Sequence, residues 1–431
     1  MRILPYSLDM TAVIAPIAIA LISLVLRVVN LGSIKSFIFD EVYYVDGARD
    51  LLAYGVEVAG PKSEFVVHPP VGKWMIAAGI KLFGDNPVGW RIATAFIGSL
   101  MILLIGLIAQ RLFRNPLLSG LASALAALDG MALVHSRTAL LDNFLTFFIL
   151  LATYFFIRRN YWLTGLFLGI ALSTKWSAIY FIAAFGLIAL YRAFSHHTGR
   201  ALIRPTVERF TQFGLIPITV YFISWSGWFL SDRGWGRDFS SNPLRSFYYY
   251  HQQILGFHTG LTQKHTYEAN PWSWLFMGRP TSFFYESPTG CGGNSCSQEV
   301  IALGTPLLWW LAIAALALVL GMWFRSLMTR HFDPAVTIIV AGMVAGYLPW
   351  FFFQERTVFT FYVIAFQPFL ILALVYAVRA IFLRFQKSGE IIVATLFILI
   401  FLNFVYFLPI YLGHVITYEA WRSRMWFPSW I

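Results

Sequence analysis

Apolar runs separated by short polar breaks organise this chain from end to end, at about 11 to 31, 90 to 113, 117 to 134, 140 to 157, 161 to 173, 176 to 194, 213 to 230, 304 to 324, 334 to 353, 357 to 383 and 390 to 412. Runs of roughly 17 to 25 apolar residues can cross a bilayer as helices, and shorter ones such as 161 to 173 can cross when packed inside a bundle. The first run, Thr11 to Leu31, is too long for a signal-peptide core and lacks a small-residue cleavage site, so it is expected to stay as a helix. Two long polar segments, 32 to 89 and 231 to 303, interrupt the runs. In the first, Tyr44, Ala48, Leu51 and Leu52 share one helical face while Asp46, Arg49 and Asp50 share another, which predicts a short helix lying in the interface and stopped by Gly55. Val71 to Phe83 follows Pro69-Pro70 and ends at Gly84; about 13 residues at 1.5 Å each reach roughly 20 Å, so this second helix also lies flat or dips in. The second long segment carries Trp235, Tyr248, Tyr249, Tyr250, Trp272 and Trp274, a headgroup-level composition. The pattern predicts an all-α polytopic membrane protein, a single membrane domain over 1–431, with about eleven transmembrane helices and short interfacial helices in the first outer loop.

Composition agrees with that solvent. Of 431 residues 58% are hydrophobic and 12% charged, against roughly 25% charged in a soluble domain, and the mean hydropathy is +0.69. The net charge of +11 is scattered between apolar runs and forms no basic stripe, so no nucleic-acid partner is expected. Its distribution instead sets topology. Arg111 and Arg114, Arg158 and Arg159, Arg192 with Arg200, Arg204 and Arg209, Arg325 and Arg330, and Arg379 with Arg384 and Lys387 fill alternate connections, which marks those as cytoplasmic. The opposite short loops hold Arg137, Lys175 and Arg356, one apiece. The N-terminus is therefore expected inside, and the C-terminus and the two long segments outside. Two cysteines, Cys291 and Cys296, suffice for one local disulfide and for no zinc site. Nine dispersed histidines without an H-E-x-x-H pattern disfavour a catalytic metal, and no phosphate-binding glycine loop suggests nucleotide-driven chemistry.

The candidate chemistry gathers on the expected outer face. Phe39-Asp40-Glu41 puts two carboxylates at the start of the first interfacial helix, where the helix dipole should keep them ionised and of low pKa, available as a base; the plain alternative is Asp40 as an N-cap. His68-Pro69-Pro70 precedes Gly72-Lys73, an imidazole and a lysine around a rigid turn, or else a turn with a snorkelling lysine. His135-Ser136-Arg137 leads to Leu141-Asp142-Asn143, ionisable groups near a helix end that either serve a site or pair with each other. Lys175 and Arg356 sit in outer turns against the positive-inside trend and suit an anionic headgroup, above all a phosphate. His265 to Trp274, with Arg279-Pro280 beyond, interleaves aromatic and polar groups as sugar or peptide sites do, or as an interfacial belt does.

Taken in order, these segments resemble the protein O-mannosyltransferases, polytopic enzymes of the glycosyltransferase C superfamily, and the likeness runs through most of the chain. The resemblance implies inverting transfer of mannose from a polyprenyl-phosphate mannose donor to Ser or Thr hydroxyls of exported proteins. It implies Asp40 as base toward the acceptor hydroxyl, Glu41 as a group holding the acceptor, and Arg137 as a functional arginine. Charge and topology place Lys175, Arg356 and His68 around the donor phosphate, with Lys73 and Asp142 beside them, while His265, Tyr267, Trp272 and Arg279 belong to the acceptor-side loop. A phosphodiester-linked sugar has a good leaving group, so one carboxylate base and a cationic clamp suffice and no cofactor or metal is required. Eukaryotic members carry a large β-trefoil domain between the seventh and eighth spans, for which 231 to 303 leaves no room. The expectation is thus a bacterial, actinobacterial-type member in the plasma membrane, meeting membrane lipids, secreted or membrane protein acceptors and the Sec translocon. Rival readings are a related enzyme acting on a lipid or cell-wall glycan, and a flippase or transporter, which the lack of repeated broken helices disfavours.

Overall fold

The computed structural model describes residues 11–58 and 64–431. Helix α1 (Thr11–Val28) is followed by the two helices expected in the first outer segment, α2 (Glu41–Tyr54) and α3 (Val71–Phe83). Gly55 and Gly84 close them with φ of 71° and 86°, a backbone region that glycine enters without a Cβ penalty. Next comes α4 (Pro87–Phe113), whose 27 residues extend about 40 Å. Asn86 caps it by accepting from the Val88 and Gly89 amides, and Asn115 caps α5 (Pro116–Ala127) likewise, each with proline in the first helical position. Helices α1, α4 and α5 approach closely because their faces are small. A Cβ on Gly106 would collide with Ser123 Oγ and lie 2.9 Å from Pro16, and Ser119 and Ser123 donate to the Gly106 and Ile102 carbonyls at 2.8 and 3.0 Å.

Several expected spans differ in detail. The run 117 to 134 is broken: α5 stops at Ala127, Asp129 caps α6 (Gly130–His135), and Trp309 donates to the second Asp129 oxygen at 2.6 Å. Helices α7 (Leu141–Ile157), α8 (Tyr161–Leu172) and α9 (Ala178–His196) fall on their runs, α8 short as anticipated. The run 213 to 230 is the end of a longer, bent path through α10 (Ile203–Phe210), a π-turn at Thr211–Leu215, α11 (Ile216–Ser224) and α12 (Ser226–Leu230). The second outer segment holds α13 (Pro243–Gly260), α14 (Pro271–Trp274) and a hairpin of β1 (Thr281–Glu286) and β2 (Cys296–Ala302), whose tip carries the Cys291–Cys296 disulfide. After α15 (Pro306–Thr329) and α16 (Pro334–Tyr347), residues 348–352 and 360–365 form 3-10 turns, so the run from 357 becomes helical only at Gln367. The last two runs are the two legs of α17 (Gln367–Leu412), broken at Gln386, where φ is 47°. Strand β3 (Val415–Thr417) then returns to pair antiparallel with β2, and α18 (Tyr418–Arg422) follows. The fold is helical as expected; the small sheet was not expected, since its third strand is a three-residue piece supplied from beyond α17.

Among the described residues five helices are long and apolar enough to cross a membrane, and four shorter apolar helices accompany them. The buried apolar residues form two packing units. A continuous core runs through the bundle, and a smaller one, with Val56, Tyr221, Trp225, Phe247, Tyr250 and Ile254, docks α13 on α11 and α12.

Candidate active site

The Phe39-Asp40-Glu41 motif separates two adjacent carboxylates completely. Glu41, fully buried, accepts from Arg91 Nε and Nη2 at 2.8 Å each, from the Ala139 amide at 2.8 Å and from the Ile38 amide at 2.9 Å. Arg91 gives its remaining protons to the Ile34 and Ser36 carbonyls at 2.8 Å. Such a saturated buried pair is a strut between the first loop, α4 and the start of α7. Glu41 thus has no capacity left for an acceptor hydroxyl, which corrects the role carried over to it. Asp40 sits in the N-cap position of α2 yet its side chain makes no capping hydrogen bond. Burial raises its pKa to about 6, with Lys175 opposing the rise and Asp142 adding to it. The expected low value is therefore corrected: desolvation outweighs the helix terminus, because the carboxyl does not meet the terminal amides.

Lys175 lies in the turn between α8 and α9, and the Val71 amide bonds the Ser173 carbonyl at 3.1 Å, fixing that turn on the start of α3. Its Nζ reaches both Asp142 oxygens at 2.8 and 3.0 Å and stands 4.6 Å from the centre of the Tyr362 ring. Burial works against its charge, but Asp142, Tyr362 and Asp40 together outweigh it and the ammonium is held above its ordinary pKa. The same lysine lines a cavity of about 480 Å³ with His68, His251, His258 and Arg356, while Leu172, Ile179, Leu255 and Phe353 give the cavity an apolar wall. Asp40 is not on that wall; it is joined to it through the charge of Lys175.

Two imidazoles that the sequence motifs did not single out explain how the wall is built. Tyr250 accepts from the Val66 amide and donates to the Val66 carbonyl, at 3.1 and 3.0 Å, tying the extended segment before Pro69 onto α13. His258 Nε2 then faces the Val67 carbonyl at 3.0 Å and must carry the proton, leaving Nδ1 to accept from Arg356 Nη2 at 3.3 Å. Burial holds His258 near a pKa of about 4 and His68 well below the ordinary histidine range, so both are neutral. The opposite flank is a chain in which Trp176 donates to the Tyr221 hydroxyl and Tyr221 to His251 Nε2, each at 2.8 Å, with His251 Nδ1 on the Phe247 carbonyl. Arg356 Nε and His68 Nδ1 are buried without a hydrogen-bond partner among the described residues. An apolar trough ending in two cations and unsatisfied nitrogens matches an amphiphile with an anionic, hydroxyl-bearing head.

Other expected site residues lie elsewhere. Arg137 turns away and donates to the carbonyls of Leu26, Arg27, Val29 and Asn30 at 2.8 to 3.2 Å, capping the C-terminus of α1, where the helix dipole favours a cation. Lys73 is paired with Glu57 and also donates to the His68 carbonyl, so it shapes the turn, and unlike Lys175 it does not line the cavity. In the loop expected on the acceptor side, His265 packs edge-on against Phe359, Arg279 lies over Tyr267 and donates to the Thr266 and Ser429 carbonyls, and Trp272 donates to Gln354, two residues before Arg356. None of these four lines the cavity. His251 and His258 had a legible signal, since seven positions make two turns and put both on one helical face. Arg91 had one as well, an arginine in the first turn of an apolar run.

Residues 85–226 match the dolichyl-phosphate-mannose-protein mannosyltransferase family, and residues 243–430 match the C-terminal four TMM region of protein-O-mannosyltransferase. The polyprenol-phosphate-mannose–protein mannosyltransferase of Mycobacterium tuberculosis is 33% identical over 96% of this chain and 90% of its own length. That of Corynebacterium glutamicum is 31% identical over 96% and 92%. Among solved structures, the Saccharomyces cerevisiae Pmt1-Pmt2 complex bound to the sugar donor superimposes with a TM-score of 0.83 at 15% identity, over 99% of this chain and 93% of that one. ArnT from Cupriavidus metallidurans bound to undecaprenyl phosphate gives 0.56 at 17%, over 86% and 61%.

Proposed function

The chain belongs to the protein O-mannosyltransferase family, and from that premise we propose that it transfers mannose from a polyprenyl-phosphate mannose to Ser or Thr hydroxyls of exported proteins. The observation that carries this reading is the joining of Asp40 to the cationic cavity through Lys175. In the proposed step the Asp40 carboxylate takes the hydroxyl proton as the acceptor oxygen attacks the anomeric carbon. The bond from that carbon to the phosphate oxygen breaks with its electron pair staying on the phosphate. Inversion follows from single displacement. Arg356 Nε and the Lys175 ammonium meet the charge that gathers on the departing polyprenyl phosphate, and His68 Nδ1 lies beside them as a neutral hydrogen-bonding group. The prenyl chain lies along Ile179, Leu255 and Phe353. The phosphate clamp is thus Lys175, Arg356 and His68, with His258 setting Arg356 in place, and the displacement as proposed calls on no metal or cofactor.

The orientation proposed from the basic loops puts this site on the extracytoplasmic face of the plasma membrane, with the N-terminus inside and secreted acceptors arriving from the Sec translocon. The test uses membranes containing the full chain, a labelled polyprenyl-phosphate mannose and a Ser/Thr-rich peptide. Asp40→Asn is expected to lower transfer about 1000-fold while donor binding persists. Transfer by that variant at the unmodified rate overturns Asp40 as the base.

A further inference from the structure

An aspartate that opens a helix ordinarily turns back and accepts from the amides of the second and third helical residues, here Val42 and Tyr43. Asp40 does not: its φ and ψ are −72° and 1° and its carboxyl caps nothing. The carboxyl is bonded instead by the Tyr44 hydroxyl, and the residue before it is conformationally unusual. Phe39 has a φ of 52°, a left-handed conformation uncommon for a bulky side chain and one that persists only where the surroundings enforce it. Its ring is stacked on Phe283 of β1 with centroids 4.9 Å apart and planes 17° apart. Phe361 and Phe359 meet it edge-on at 5.4 and 5.8 Å, and His265 at 6.4 Å. On the other side of Asp40, Glu41 is fixed by Arg91 and the Ala139 amide. The base is therefore suspended between two anchored neighbours, one aromatic and one ionic.

We propose that Phe39 is a positioning residue for Asp40, its ring clamped among Phe283, Phe359 and Phe361 so that residue 39 stays left-handed and the carboxyl is kept out of the helix cap and available to the acceptor. The proposal rests on the reading of Asp40 as the base. Without the clamp, residue 39 relaxes to negative φ and Asp40 can adopt the capping conformation. A capped carboxylate is a poorer base pointing at its own helix. The arrangement also gives the hairpin and the 359–361 segment, from the distant second half of the chain, a direct hold on the catalytic loop.

The test measures kcat and donor KM across pH 5 to 8 for Phe39→Leu and Phe39→Gly, with Asp40→Asn in parallel. Leucine keeps bulk but loses the ring stack; glycine loses the ring while tolerating positive φ. Both variants are expected to lose about 10- to 100-fold in kcat, to keep donor KM within about threefold, and to move the acid limb of kcat about one pH unit lower as Asp40 becomes a cap. Phe283→Leu should shift the limb the same way by less. Unmodified kcat in both Phe39 variants overturns the proposal, as does a lowered kcat with an unmoved acid limb, which marks a merely structural residue. If the glycine variant does not accumulate, the leucine variant carries the test alone. The failure of the base reading is separate, because it shows as activity in Asp40→Asn whatever the Phe39 variants do.

Discussion

Asp40 and Glu41 share a peptide bond and a chemistry, yet the fold sends them to opposite fates. Glu41 enters a cluster in which its own charge is spent: both its oxygens are taken by Arg91 and by the Ile38 and Ala139 amides, and Arg91 gives its other protons to loop carbonyls. Asp40 faces a region where charge is left over, with Lys175 shared between Asp142 and the cavity and with Arg356 Nε and His68 Nδ1 unpaired among the described residues. Saturation makes a strut and surplus makes a site. The pair shows that residue type and position along the chain say little about role until the number of partners is known.

Mutating each carboxylate in turn should separate their two roles. Asp40→Asn should cost about three orders of magnitude in transfer and leave the melting temperature in detergent unchanged or slightly raised, since a neutral side chain suits a site that disfavours the carboxylate. Glu41→Ala should do the reverse in kind, stranding Arg91 as an unpaired buried charge at a cost of about 3–5 kcal/mol, seen as a lower melting temperature. Equal melting temperatures for the two variants would erase the distinction. Between the arginines, Arg356→Ala should weaken donor binding about 10- to 100-fold, measured by retention of labelled lipid donor. Arg137→Ala should leave the affinity of the folded fraction as it was and lower stability instead; loss of donor affinity in that variant would return Arg137 to the phosphate.

The smallest effect concerns pH. Because Asp40 must be ionised to accept a proton and its pKa is raised to about 6, kcat should fall about tenfold per unit below pH 6. His258, held to about 4, and His68, held well below its usual range, stay neutral through that window, so the clamp keeps its charge while the base is lost. A limb near pH 4 would show an ordinary solvated aspartate and would place Asp40 outside the desolvated site.

Much of the molecule is written locally and can be read locally. Apolar run length predicts α4, α7, α9 and α15, the face pattern after residue 41 predicts α2, and the double proline with Gly84 bounds α3. Each depends on residues within a turn or two of one another. The parity of the basic loops likewise groups Asp40, His68, Lys175 and Arg356 on one face, and the structure brings them to one end of the bundle. The allocation of partners, by contrast, is set by long-range contacts. Glu41 finds Arg91 50 positions away, His258 finds Arg356 98 positions away, and β3 closes a sheet with a hairpin it follows by more than a hundred residues. Whether a buried charge is satisfied, and hence whether it supports the fold or serves chemistry, depends on such distant partners, because desolvation and ion pairing act through space and leave no mark on the neighbouring residues of the chain.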